Sequence, residues 1–153
     1  MRSRILPLLL SLTSLVAFGA TRAATTSTAA PPTAKASLRI EVKGVASDRG
    51  HVLVALYTEE AAWPEPAGAY AAKKVRARKG QVTVDFADLP AGAYAIAIMH
   101  DADDNGEMTK SLFGIPKEAY GFGNDARAPF SAPGFGESLV KVDGKTAVVV
   151  NIK

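Results

Sequence analysis

Ser37-Leu38-Arg39-Ile40-Glu41-Val42-Lys43 and Gln81-Val82-Thr83-Val84-Asp85-Phe86 decide the fold class. In the first, Leu38, Ile40 and Val42 alternate with Arg39, Glu41 and Lys43. In the second, Val82, Val84 and Phe86 alternate with Gln81, Thr83 and Asp85. A period of two places the apolar set on one face of a strand, whereas a helix needs a period of 3.6. Working outward, Lys73–Lys79 alternates Val75 and Ala77 with Lys74, Arg76 and Arg78. His51–Tyr57 and Ala93–Met99 are apolar on both faces, as expected of central strands. Val140–Val142 and Thr146–Ile152 flank Asp143-Gly144, and Lys79-Gly80 precedes the Gln81 strand; both dipeptides suit hairpin turns. The pattern predicts an all-β chain, an antiparallel β-sandwich of about seven short strands. One helical turn is expected around Glu59–Trp63, ended by Pro64.

Asp88-Leu89-Pro90-Ala91-Gly92-Ala93-Tyr94 refines the prediction. A Leu-Pro turn with a Tyr entering the next strand has the form of a tyrosine corner, in which the phenol bonds back to nearby backbone. Tyr94 is therefore expected to be structural.

The chain has 153 residues, the length of one domain, with 18 Lys plus Arg against 15 Asp plus Glu. Arg2, Arg4 and Arg22 lie at the extreme N-terminus; without them the charges balance. A nucleic-acid partner that relies on overall positive charge is thereby disfavoured. No cysteine is present, which excludes disulfides, thiolate zinc sites and a Cys nucleophile. Arg2 and Arg4 followed by the uncharged Ile5–Phe18 read as an export signal, with cleavage after Gly19 or Ala23. The apolar run is shorter than the ~20 residues of a spanning helix, so no transmembrane segment is expected in the mature form. Residues 1–23 are thus read as a cleaved signal peptide. Residues 24–36 (ATTSTAAPPTAKA) read as a flexible linker and 37–153 as the sandwich domain. The product is expected to be periplasmic or secreted, and a monomer.

Residues 99–133 break the strand pattern with Gly, Pro, Asp, Asn and aromatics. A connection of this length inside a compact domain is usually functional or disordered. Leu112, Phe113, Ile115, Tyr120, Phe122, Phe130 and Phe135 argue for an ordered loop packed through these side chains. It opens with Asp101-Ala102-Asp103-Asp104-Asn105-Gly106-Glu107-Met108-Thr109. Asp, Asp and Asn at alternate positions followed by Gly match the first half of a calcium loop, where alternate oxygens converge inside a tight turn. Asp101, Asp103, Asn105, the Glu107 carbonyl and Thr109 are the candidate ligands. Leu112 stands where the bidentate Glu belongs, so calcium needs another carboxylate, Glu118 or Asp125. The alternative is that these side chains cap their own turn.

His100 follows the parity of Tyr94, Ile96 and Ile98, with Asp101 on the opposite face. It reads as a structural residue donating to a loop carbonyl or carboxylate. The competing reading makes it the base of a small hydrolase with Glu118 or Asp125. Trp63, Tyr70, Tyr120 and Phe122 form either a binding platform or plugs for the sandwich ends. Lys73, Lys74, Arg76, Arg78 and Lys79 read first as the protective charges of an edge strand, and otherwise as a surface for anionic lipid or polysaccharide.

Gly50-His51-Val52-Leu53-Val54-Ala55-Leu56-Tyr57, the Asp88–Ala97 stretch, His100-Asp101 and Asn105-Gly106 resemble an exported bacterial family, domain of unknown function 2141. The most specific match is Phe113-Gly114-Ile115-Pro116-Lys117-Glu118-Ala119-Tyr120-Gly121-Phe122-Gly123-Asn124-Asp125-Ala126-Arg127, followed by Pro133 and Phe135. The resemblance implies an exported Ig-like or transthyretin-like sandwich and no assigned reaction. It departs from the family at Gly123, usually Ser, at Asp125, often Asn, and at Asp104, usually a small residue. It marks the 113–127 segment as the place for a site. The expectation is a non-enzymatic envelope module that binds a glycan, a protein or calcium through residues 99–133. His100, Asp101, Glu118, Tyr120, Phe122, Asn124 and Arg127 are the binding candidates.

Overall fold

The computed structural model describes residues 35–129 and 131–153. The expected signal peptide, most of the linker and Phe130 lie outside the described residues. Among the described residues eight strands follow one another as β1 (Lys35–Val45), β2 (His51–Tyr57), β3 (Ala71–Arg76), β4 (Gly80–Pro90), β5 (Gly92–Asp101), β6 (Tyr120–Phe122), β7 (Leu139–Val142) and β8 (Lys145–Asn151). They form a three-stranded sheet, β4-β1-β8, and a five-stranded sheet in which β2 and β5 are central. The sandwich is all-β and mostly antiparallel. Its exception is the parallel pairing of β1 with β8. The first strand begins at Lys35, slightly before the expected Ser37, because Lys35 and Ala36 pair with Pro90 and Leu89.

The alternation read from the sequence fixes what each face does. Leu38, Ile40 and Val42 are fully buried, and Val84 and Phe86 nearly so. Opposite them on the outer face, Arg39 and Asp85 are cross-strand partners, with Nε to Oδ1 at 2.7 Å. From the other sheet, Val52, Val54 and Leu56 of β2 and Tyr94, Ile96 and Ile98 of β5 complete the core. Burying a Val, Leu or Ile contributes about 1.5–3 kcal/mol, so these inward rows supply most of the stabilisation.

Two turn expectations are corrected. Lys79-Gly80 does not close a hairpin, since β3 pairs with β2 and β4 with β1. Asp143-Gly144 likewise separates β7, on β5, from β8, on β1. Both dipeptides reverse the chain, but they carry it across from one sheet to the other. The expected helical turn is a short 3-10 turn, Glu60–Ala62. The tyrosine corner is present: the buried Tyr94 hydroxyl donates to the Pro90 carbonyl at 2.7 Å. β3 is an edge strand, which accounts for its outward lysines.

The long excursion after β5 is stitched back to the strand it leaves. β6 pairs Phe122 with Ala97 and Tyr120 with Met99, and β7 takes the same edge of β5 further along. Three-residue β6 lay unseen in the sequence because a single Tyr-Gly-Phe offers no period.

Candidate functional site

At the end of β5 the chain turns over its own last residue. Asp101 is completely buried; its Oδ1 accepts the Asn105 N–H at 3.0 Å and its Oδ2 the Gly106 N–H at 2.9 Å. The turn needs Gly106, which sits at φ +80°. Asp103 Oδ1 accepts from the Asn105 N–H at 3.3 Å, and Oδ2 from the Thr109 hydroxyl at 3.1 Å. Asn105 Oδ1 accepts the Glu107 N–H at 2.7 Å, while its Nδ2 donates to Thr109 Oγ1. These are the turn-capping bonds of Asp and Asn side chains.

Glu118 closes the turn from outside it. Its Oε1 accepts the Ala102 N–H at 2.9 Å and its Oε2 the Thr109 N–H at 3.0 Å, so one carboxylate clamps the two ends. It is 9% exposed. Carboxylate oxygens of Asp101, Asp103 and Glu118 thereby come within 4.8 Å of one another. A carboxylate has about four lone-pair sites, and the loop N–H groups use only some of them. Three hard oxygen donors, with Asn105 and Thr109 alongside, are the chemistry of a divalent cation such as calcium. Of the two carboxylates named for this purpose, Glu118 joins the cluster. Asp125 does not: it accepts the backbone N–H and the Nδ2 of Asn151 at 2.7 and 2.6 Å.

Asp104 faces away, held between Lys74 Nζ at 2.5 Å and His51 Nδ1 at 2.8 Å. The hydrogen bond from Lys74, then that from His51, holds its carboxyl below the ordinary value of 3.8. Antiparallel pairing of β2 with β5 puts His51 opposite Asp101.

His100 is buried, and its Nε2 lies 3.0 Å from the Arg49 carbonyl. A carbonyl only accepts, so Nε2 carries the proton. The backbone approach that permits this bond depends on Gly50, where a Cβ would meet the Asp101 carbonyl at 1.9 Å. None of the hydrogen bonds joins His100 to Glu118 or Asp125. Two surface depressions, one along Val75–Thr83 and one beside Arg39, Asp85 and Thr146, are lined by none of the three. The geometry thus gives the hydrolase pairing no support.

The remaining candidates hold the scaffold. Asn124 Nδ2 donates to the Leu139 and Glu137 carbonyls at 2.7 and 3.2 Å. Arg127 donates to the Asn151 and Tyr120 carbonyls at 2.5 and 3.4 Å. Together with Asp125 they fasten the segment to β7 and β8. Phe122 is buried under Trp63, ring centroids 5.5 Å apart, and Tyr120 packs on Phe122 at 5.8 Å. Trp63 also contacts Tyr57 and Phe135 and donates to the Pro133 carbonyl. Tyr57 pairs with Ala95, Phe122 with Ala97 and Tyr120 with Met99, on the strand face opposite the core-facing Tyr94, Ile96 and Ile98, so these aromatics cover the outer face of the five-stranded sheet.

One part of the loop contradicts the packed reading. Leu112 is 102% exposed, Phe113 89% and Ile115 62%. A short ribbon, with a bridge between Lys110 and Pro116, carries them away from the domain. Its turn is closed by its own bonds, Ser111 N–H to the Ile115 carbonyl and Gly114 N–H to the Ser111 carbonyl. The expectation that apolar side chains seek the core fails because, among the described residues, the ribbon pairs only with itself, through Lys110 and Pro116.

A family model described as "Uncharacterized protein conserved in bacteria (DUF2141)" matches residues 40–150, most of the chain. No curated protein and no solved structure matches it.

Proposed function

The chain belongs to that uncharacterised bacterial family, and on that premise we propose that it is an exported, non-enzymatic binding module whose Asp-rich loop is ordered by calcium. The single observation that carries the reading is the convergence of Asp101, Asp103 and Glu118 within 4.8 Å. Sequence order separates Glu118 from the other two by the whole turn and the exposed ribbon. Pairing of β6 back onto β5 returns it to them. Asp101, Asp103 and Glu118 would hold the ion, with Asn105, the Glu107 carbonyl and Thr109 as the neighbouring oxygens. The ion would neutralise clustered negative charge and lock the two ends of the turn that Glu118 already clamps.

Three carboxylates on an open turn suit weak binding, with Kd of about 10⁻⁴–10⁻³ M, the range of extracellular calcium modules. That range fits the export signal read at the N-terminus, since such a site fills only where calcium is abundant. Isothermal titration of calcium into the purified protein tests the reading. One ion per chain is expected in that range, with Asp103→Ala abolishing the heat. A flat titration up to about 10 mM, well above that range, would leave the loop as a self-capped turn.

A further inference from the structure

We infer that the ribbon between Lys110 and Lys117 is a membrane-inserting tip. Leu112, Phe113 and Ile115 occupy one short turn and are the most exposed large apolar side chains among the described residues. An exposed apolar cluster of this kind marks an interaction site. The turn is rigid for its size: Ile115 N–H also donates to Ser111 Oγ at 3.1 Å, and Lys117 N–H to the Thr109 carbonyl at 2.8 Å. Gly114, at φ +76°, permits the reversal and leaves open space where a side chain would be.

Charge and shape select the occupant. Lys110 and Lys117 stand exposed at the two shoulders of the tip, and neither joins an ion pair among the described residues. The nearby carboxylates of Asp101 and Glu118 turn inward onto loop N–H groups instead. An apolar point with a cationic collar matches the boundary between acyl chains and anionic headgroups, where aliphatic and aromatic side chains enter and lysines remain among the phosphates. A protein partner is a poorer fit. A stable protein interface covers about 800 Å² on each side, and a projecting turn of three apolar side chains is far smaller. A bilayer imposes no such requirement. The inference goes beyond cation binding and does not depend on it.

Vesicle co-sedimentation tests it, with phosphatidylglycerol-containing and pure phosphatidylcholine vesicles, each in chelator and in millimolar calcium. The protein is expected to partition onto the anionic vesicles. Leu112→Ser with Phe113→Ser should reduce partitioning at least about tenfold. Lys110→Gln and Lys117→Gln should each reduce it roughly fivefold on anionic vesicles alone. Because these positions are exposed, melting curves should be unchanged, which separates lost binding from lost folding. Equal partitioning by the parent and the serine variant would overturn the inference, as would no binding to either vesicle. Self-association that the serine substitutions abolish, without vesicle binding, would assign the tip to a second copy instead and equally overturn it. Calcium dependence affects only the loop's cation site, so the two readings fail separately.

Discussion

Carboxylate oxygens of Asp101 and Glu118 meet within 4.8 Å, although one ends β5 and the other precedes β6. Each is engaged by backbone N–H groups of the same turn, Asp101 from within it and Glu118 across its two ends. The loop is therefore organised around carboxylates even before any ion is considered. This makes its acidic residues unequal: Asp103 is exposed and replaceable, whereas Asp101 and Glu118 are part of the fold.

His100 is buried and bonded to the Arg49 carbonyl. Replacing it with Ala removes a buried ring and orphans the Arg49 carbonyl, so folding stability should fall by about 2–4 kcal/mol. Urea denaturation reads this. A loss below about 0.5 kcal/mol would show that the imidazole is not a packing element.

Gly50 should tolerate no side chain. A Cβ there would lie 1.9 Å from the Asp101 carbonyl, at a backbone φ of +65° that disfavours L residues. Gly50→Ala should cost about 2–4 kcal/mol, from overpacking plus left-handed strain. A midpoint within error of the parent would mean that the β2 start is free to move.

Tyr94→Phe keeps the ring and removes only the bond to Pro90. The expected loss is about 1 kcal/mol, with calcium affinity of the acidic turn unchanged, because the corner lies where β4 meets β5. Burial raises the Tyr94 phenol above its ordinary 10.0, so the hydroxyl stays protonated and donating at neutral pH.

Acid should loosen the outer ties. The Asp104 carboxyl is lowered by its hydrogen bonds to Lys74 and then His51, and that of Asp85 by its hydrogen bond to Arg39. A lowered folded value means that the contribution is complete above the ordinary 3.8 and disappears as pH falls through the folded value. Asp104→Asn should remove part of the decline in melting temperature on the acid side of that value. An identical acid profile in parent and variant would show that the Lys74–Asp104–His51 tie contributes nothing measurable.

How far the sequence could be read follows from what each signal encodes. The period of two in Leu38–Val42 and Val82–Phe86 specifies strands and their inner faces, because alternation is a direct consequence of strand geometry. The Leu89-Pro90 to Tyr94 spacing is equally local, and its hydrogen bond forms as expected. Lys79-Gly80 and Asp143-Gly144 mark reversals correctly, but turn chemistry says nothing about which sheet the next strand joins. The half-formed calcium loop asks for one more carboxylate, yet nothing in the spacing separates Glu118 from Asp125. Only the pairing of β6 with β5 decides it, and that contact is long-range. Leu112, Phe113 and Ile115 were legible as apolar but not as exposed, since exposure depends on what fails to fold over them.

The cation site proposed in the acidic turn is read out by thermal melting in chelator and in excess calcium. A site filled to a hundredfold over its Kd adds about 2.7 kcal/mol, a shift of several degrees for a domain of this size. The parent should gain that shift and Asp103→Ala should not. An unchanged midpoint in the parent, at calcium well above 10⁻³ M, would contradict the claim.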